Sequence, residues 1–223
     1  STYTPEKVGV AHWYLERDPG SISVHGTPAR LATGKYTKSI DVNTPDISDT
    51  KVLSETAEKL TPAAVLLPII ERKNGLNIVL TKRSEKLKHH PGQVAFPGGK
   101  LKVNEETAWD CALRESQEEI GLDPSGVRKI GRILTHQTIT GYEVIPFVAE
   151  VLAKDFSFLP DDKEVEEIFE VPLEFILSKE NMTLHVREIS GQKRGYYAIP
   201  FGPYYIWGAT ARIIKSFSDL VSK

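Results

Sequence analysis

Three glutamates in the run Arg114-Glu115-Ser116-Gln117-Glu118-Glu119 fall at i, i+3 and i+4, which on a helix sets their carboxylates side by side. Each like-charge pair costs about 0.2–0.5 kcal/mol on an exposed helix. Either water covers such a face or a cation offsets it, and Arg114 brings only one positive charge. A hard divalent cation, Mg²⁺ or Mn²⁺, suits an all-oxygen donor set and keeps waters that a phosphate can replace. The chemistry that follows is hydrolysis at phosphorus: charge on the phosphate oxygens is neutralised, a water is activated, and a neighbouring glutamate takes its proton. Taken alone the triplet also fits a solvated acidic face. Its neighbours argue for the site, because Ala108, Cys111, Ala112 and Leu122 bracket Glu115 and Glu119 at helical spacing, so the acids border a packed side.

A second concentration of charge lies upstream. Lys82, Arg83, Lys86, Lys88, His89 and His90 occupy nine residues of a chain whose 28 Lys and Arg nearly balance its 30 Asp and Glu, for a net charge of −2. That balance gives no global field for nucleic acid or an anionic membrane, so attraction to phosphate must be local. Arg83 offers a planar fork for bidentate phosphate contact. Without a cysteine partner or a spaced third ligand, His89 and His90 do not make a zinc site. The single cysteine, Cys111, excludes an intramolecular disulfide and reads as a small buried helix residue. No apolar run is long enough to span a bilayer, the start lacks a basic-then-apolar leader, and the last three residues are no peroxisomal signal. The expected location is cytoplasmic.

Positioning these groups requires a helix over 108–120, started by Thr107 with Asp110 three residues on and stopped by Gly121. Ahead of it, 63–71 reads as a buried strand, Asn74-Gly75 as a hairpin turn and 76–82 as the returning strand. A Lys, His, Pro and Gly-rich loop over 83–93 then leads to the turn Pro97-Gly98-Gly99. Strands are expected over 127–140 and 143–153, with weaker candidates at 183–189 and 195–201, and a last helix over 209–220. Residues 1–60 show little periodicity apart from a short helix near 48–60. The mixture predicts an α+β fold, a mixed β-sheet flanked by helices. Residues 1–61 would be an N-terminal extension of unassigned role, open to a partner or homodimer contact, and 62–223 the functional domain.

Gly99, Glu106, Arg114-Glu115, Glu118-Glu119 and Gly121-Leu122 resemble the signature box of the Nudix hydrolases. Two positions depart from it. The gap from Gly99 to Glu106 is one residue longer than usual, and Ser116 stands where an aliphatic residue is usual. The segments Leu80-Thr81-Lys82-Arg83-Ser84, Leu87, His90, Gly92, Val94 and Phe96-Pro97-Gly98-Gly99 resemble the added signature of the coenzyme A pyrophosphatase branch, which shares the longer gap. Val79 and Lys88 are mild changes from that pattern. The resemblance extends to about residue 220.

It implies an α/β/α sandwich in which Glu115, Glu118 and Glu119, with the Gly99 carbonyl, face the metal ions. Arg114 would hold a box glutamate by ion pairing. A distal carboxylate, Glu164 or Glu167, would complete the donor set. Arg83, Lys82, His90 and Gly98 would meet substrate. The implied reaction splits coenzyme A or a derivative into a 4′-phosphopantetheine species and adenosine 3′,5′-bisphosphate, with Mg²⁺ or Mn²⁺. Other nucleoside diphosphate derivatives, such as ADP-ribose or NADH, are the enzymatic alternative, and a non-catalytic ligand-sensing module the other. Tyr142, Tyr204, Tyr205 and Trp207 are either pocket or core aromatics.

Overall fold

The computed structural model of the chain describes residues 14–18, 21–25, 60–88, 90–189 and 192–221. Two short strands, β1 (Tyr14–Asp18) and β2 (Ser21–His25), pair antiparallel as a hairpin in a region whose sequence shows little periodicity. The helix expected over 48–60 lies outside the described residues.

The main sheet starts with β3 (Thr61–Arg72) and β4 (Gly75–Arg83), antiparallel across the expected tight turn. Short strands β5 (Val94–Ala95) and β6 (Gly98–Lys100) return along β4 and β3. Helix α1 (Ala108–Ile120) follows, then β7 (Val127–Arg132), β8 (His136–Gln137), β9 (Tyr142–Val151) and β10 (Val165–Pro172). The strand order is β10-β4-β3-β9-β7, with β3 and β9 parallel at the centre. A strand covered on both faces needs apolar side chains on both. In β3 this is met by Leu67 and Ile69 on one face and Ala64, Leu66 and Ile70 on the other, all buried.

Helix α1 covers the second of these faces through Cys111, Ala112 and Ile120. The first is covered by α2 (Leu173–Leu177), a three-stranded sheet of β11 (Thr183–Ile189), β12 (Gln192–Phe201) and β13 (Tyr204–Trp207), and α3 (Gly208–Val221). Ile176, Ile199, Ile206 and Ile214 of these elements are fully buried, each worth about 1.5–3 kcal/mol of transfer free energy. The result is the expected α+β sandwich, a mixed sheet flanked by helices. Among the described residues no helix is long and apolar enough to cross a membrane.

Two expectations change. The strand expected over 127–140 ends at Arg132, and β8 resumes at His136. The ladder fails where the Ile133 N–H donates to the Pro146 carbonyl at 2.9 Å, because proline has no N–H to return. The acidic stretch 161–170, outside the expected strands, contains most of β10, paired with β4 and bulged between Val165 and Glu167. Phe169 and Val171 alternate inward and carry this strand despite its acids.

Candidate functional site

Helix α1 is held at both ends by its own sequence. Thr107 and Asp110 form a reciprocal capping box, and Gly121 closes the helix at φ 69°, in the left-handed region that favours glycine. Its buried side is Cys111, Ala112, Ser116, Glu119 and Ile120. Ser116, where an aliphatic residue is usual, is fully buried and its hydroxyl donates to the Ala112 carbonyl at 2.7 Å. The carboxylates do not share one environment. Glu119 is 3% exposed, Glu115 half-buried and Glu118 exposed.

The β6 turn meets the inner two. Gly98 pairs with Val65 and Gly99 with Ala64. The Gly98 N–H donates to the Glu119 carboxylate at 3.1 Å. A Cβ at Gly99 would sit inside van der Waals contact of the Glu115 carboxylate, which would have to shift to admit it. From β4, the Arg83 guanidinium stands 3.7 Å from Glu119. Burial pushes the Glu119 carboxyl up to about 8, against the Gly98 N–H and Arg83, with Glu115 and Glu164 adding repulsion. Burial also raises Glu115, opposed by its bonds to Arg114.

Arg114 is the hub of the outer half. It bonds both oxygens of Glu106 at 2.9 Å, Glu115 at 2.7 Å and Glu118 at 3.2 Å. This fork pulls Glu106 down to about 2, and its anchorage is strong because the contact is bidentate and charged. Glu106 stands in the box spacing, yet its role as the clamp on Arg114 emerges only from the fold. Among the described residues no three His, Cys, Asp or Glu groups converge at metal-ligand distances; Glu115 and Glu118 are turned toward Arg114 instead. The donor chemistry nonetheless fits a hard cation: carboxylate and carbonyl oxygens, a glycine cradle, and a buried acid with raised pKa that a nearby cation would return to its ionised form.

The remaining expected residues divide. Glu164 is exposed one residue before β10 and close enough to Glu115 and Glu119 to raise both. Glu167 turns away, bonded to the Tyr204 hydroxyl, and Tyr204 stacks on Phe169 at 3.6 Å as a packing residue. Lys82 follows the pleat opposite to Arg83 and pairs with Glu166 at 2.9 Å. His90, at φ 56°, and Lys88 are exposed in the loop, with His89 outside the described residues. Tyr142 lies under the Lys100 ammonium, and Tyr205 and Trp207 are exposed. Cys111 is buried, its thiol pushed up to about 11 by burial and unfit as a nucleophile.

A mixed sheet between helices, with a carboxylate-bearing helix abutting a glycine turn, defines a fold and site that comparison with known proteins places in a family. The NUDIX domain family matches residues 59–190. Similar relatives are the proteins named "Uncharacterized Nudix hydrolase NudL" of Yersinia pestis (strain Pestoides F) and Yersinia pseudotuberculosis serotype O:1b (strain IP 31758). Each is 38% identical over 163 residues, covering 72% of this chain and 79% of the relative. Solved structures of similar fold include a MutT/nudix family protein from Enterococcus faecalis, with TM-score 0.47, 18% identity and coverage of 74% of this chain and 64% of that one. Another is the M. smegmatis Nudix hydrolase RenU, with TM-score 0.44, 22% identity and coverage of 51% and 71%. The chain belongs to the Nudix hydrolase family. It is a pyrophosphohydrolase acting on a nucleoside diphosphate derivative, and such enzymes generally use divalent metal ions.

Proposed function

We propose that the substrate is coenzyme A or one of its derivatives, cleaved at the pyrophosphate into a 4′-phosphopantetheine species and adenosine 3′,5′-bisphosphate. The observation that carries this reading is Arg83. It belongs to the Thr81-Lys82-Arg83-Ser84 run that resembles the coenzyme A branch, and it stands 3.7 Å from the most buried box glutamate. A fork at that point binds a pyrophosphate oxygen beside the acids.

Glu115, Glu118, Glu119 and the Gly99 carbonyl, with Glu164, would hold Mg²⁺ or Mn²⁺. When bound, the cation neutralises pyrophosphate charge and lowers the pKa of a water. The chain's own part is orientation and proton handling. Gly98 and Arg83 fix Glu119, and Arg114, itself clamped by Glu106, holds Glu115 and Glu118 until a cation competes for them. Water oxygen bonds to phosphorus, the bridging P–O bond breaks, and the water's proton passes to a glutamate of this face. On the exposed loop Lys86 and Lys88 present charge, and His90 a hydrogen-bonding imidazole, for the 3′-phosphate. Lys82 serves only if it leaves Glu166. We assign the enzyme to residues 62–223, with residues 1–61 an N-terminal extension.

The test compares kcat/KM for coenzyme A, its 3′-dephospho form, ADP-ribose and NADH with Mg²⁺ or Mn²⁺. Preference for coenzyme A over all three supports the assignment. Equal or faster turnover of ADP-ribose or NADH removes it and leaves the pyrophosphohydrolase, whereas tight binding of any without turnover returns weight to a ligand-sensing module.

A further inference from the structure

We infer that Arg72, at the far end of β3, is a positioning residue for the candidate metal centre, acting through the segment 152–164 and Glu164 at its end. The inference rests on the reading that Glu164 completes the cation's donors. Arg72 lies seven residues along β3 from Val65, the partner of Gly98, so at about 3.3 Å per residue it stands roughly 23 Å from the acids. No direct contact with metal or substrate is within its reach.

Its fork is spent entirely on this segment and the strand that follows. The guanidinium donates to the Lys154 carbonyl at 2.6 Å and the Phe156 carbonyl at 2.8 Å, bonds Glu170 of β10 through both Nε and Nη2, and lies 5.9 Å from the Phe158 ring centroid. Beyond that anchor the chain crosses the C-terminal end of α1. Leu159 N–H donates to the Ile120 carbonyl at 3.1 Å and Asp161 N–H to the Glu119 carbonyl at 3.0 Å, two of the carbonyls a helix end leaves open. Gly121 allows this approach, since a Cβ there would press on Leu159 at 3.3 Å. Glu164 N–H then donates to the Asp161 carbonyl at 2.9 Å, and the Glu164 carbonyl accepts from Ser84 N–H, beside Arg83, at 2.9 Å.

The segment is thus a strap fastened at three places, to Arg72, to the end of α1 and to the end of β4. The last two are backbone bonds alone, two to the helix that carries Glu119 and one to the residue after Arg83. The first is a multidentate, charged anchor that gathers β3, the strap and β10. Releasing it leaves the seven residues between Phe156 and Glu164 held by backbone bonds alone and widens the spread of Glu164 relative to Glu119, with the helix acids untouched.

The experiment measures Mn²⁺ binding to the intact chain without substrate, by the paramagnetic resonance of free Mn²⁺, in wild type, Arg72→Gln, Arg72→Lys, Glu164→Gln and Arg72→Gln/Glu164→Gln, with melting temperatures recorded alongside. Glu164→Gln is expected to weaken Mn²⁺ about tenfold and Arg72→Gln about threefold to tenfold. Arg72→Lys, which keeps the charge but not the fork, should weaken it comparably, and the double variant should be no weaker than Glu164→Gln alone. Unchanged Mn²⁺ affinity in both Arg72 variants, or additive losses in the double variant, overturns the inference while leaving Glu164 as a ligand. An unchanged affinity in Glu164→Gln overturns Glu164 and the Arg72 inference together.

Discussion

Helix α1 with its β6 turn and the loop at 84–93 both bear the charges of the site, and they are built in opposite ways. The helix places Glu119 in the core, ties it to the Gly98 N–H and stacks Ser116 and Ile120 beside it. The loop leaves Lys86, Lys88 and His90 exposed, with its bends set by backbone bonds such as Gly92 N–H to the Arg83 carbonyl at 3.1 Å. Chemistry that tolerates little displacement rests on rigid elements, and recognition of a distant phosphate rests on charges that water screens. Arg83 joins the two, a loop-side cation in contact with a helix acid.

The largest effect should come from the rigid side. Glu119→Gln should lower kcat by on the order of 10³, yet leave the metal-free protein as stable as wild type or more so, because the neutral amide escapes the cost of a buried charge. A melting temperature that collapses with activity would make Glu119 structural rather than functional. The same burial sets a pH dependence. The folded pKa of Glu119, about 8, lies above its ordinary 4.5, so its contribution to stability is full below about 4.5 and is lost as pH rises through about 8. Urea titrations of metal-free protein should show a loss on the order of 5 kcal/mol across that window, reduced by added Mg²⁺ and much smaller in Glu119→Gln.

At the junction, Arg83→Ala should cost about 10² in kcat/KM, equally for coenzyme A and its 3′-dephospho form, because the arginine meets the pyrophosphate. On the loop itself, Lys86→Ala/Lys88→Ala should cost about tenfold for coenzyme A at low salt, with little change for the dephospho form. Should the lysine pair prove as damaging as Arg83 and blind to the 3′-phosphate, the division between rigid chemistry and screened recognition is wrong.

Much of the rigid side was legible in sequence. The capping residues Thr107 and Asp110, the Gly121 stop and the Asn74-Gly75 turn are local signals, and they bound α1 and the β3–β4 hairpin where expected. What remained hidden depends on pairs far apart in the chain. The Arg83–Glu119 contact spans 36 residues and follows from β4 and β6 meeting one helix face. The diversion of Lys82 to Glu166 follows from a bulge in β10, and β10 was obscured by its acids until Phe169 and Val171 are seen packing inward. Glu106 was visible as a spaced residue, whereas its grip on Arg114 required the helix and the loop before it to be folded together. The exposed loop carried a clear charge signal but no geometric one, since nothing local fixes where Lys86 and Lys88 point.

The most direct test incubates the protein with coenzyme A and Mn²⁺ and identifies the products by mass spectrometry, beside Glu119→Gln. The account predicts 4′-phosphopantetheine and adenosine 3′,5′-bisphosphate in equal amounts from the wild type and both on the order of 10³ more slowly from the variant. Release of inorganic phosphate from the 3′ position, or the same products from Glu119→Gln at the wild-type rate, would contradict it.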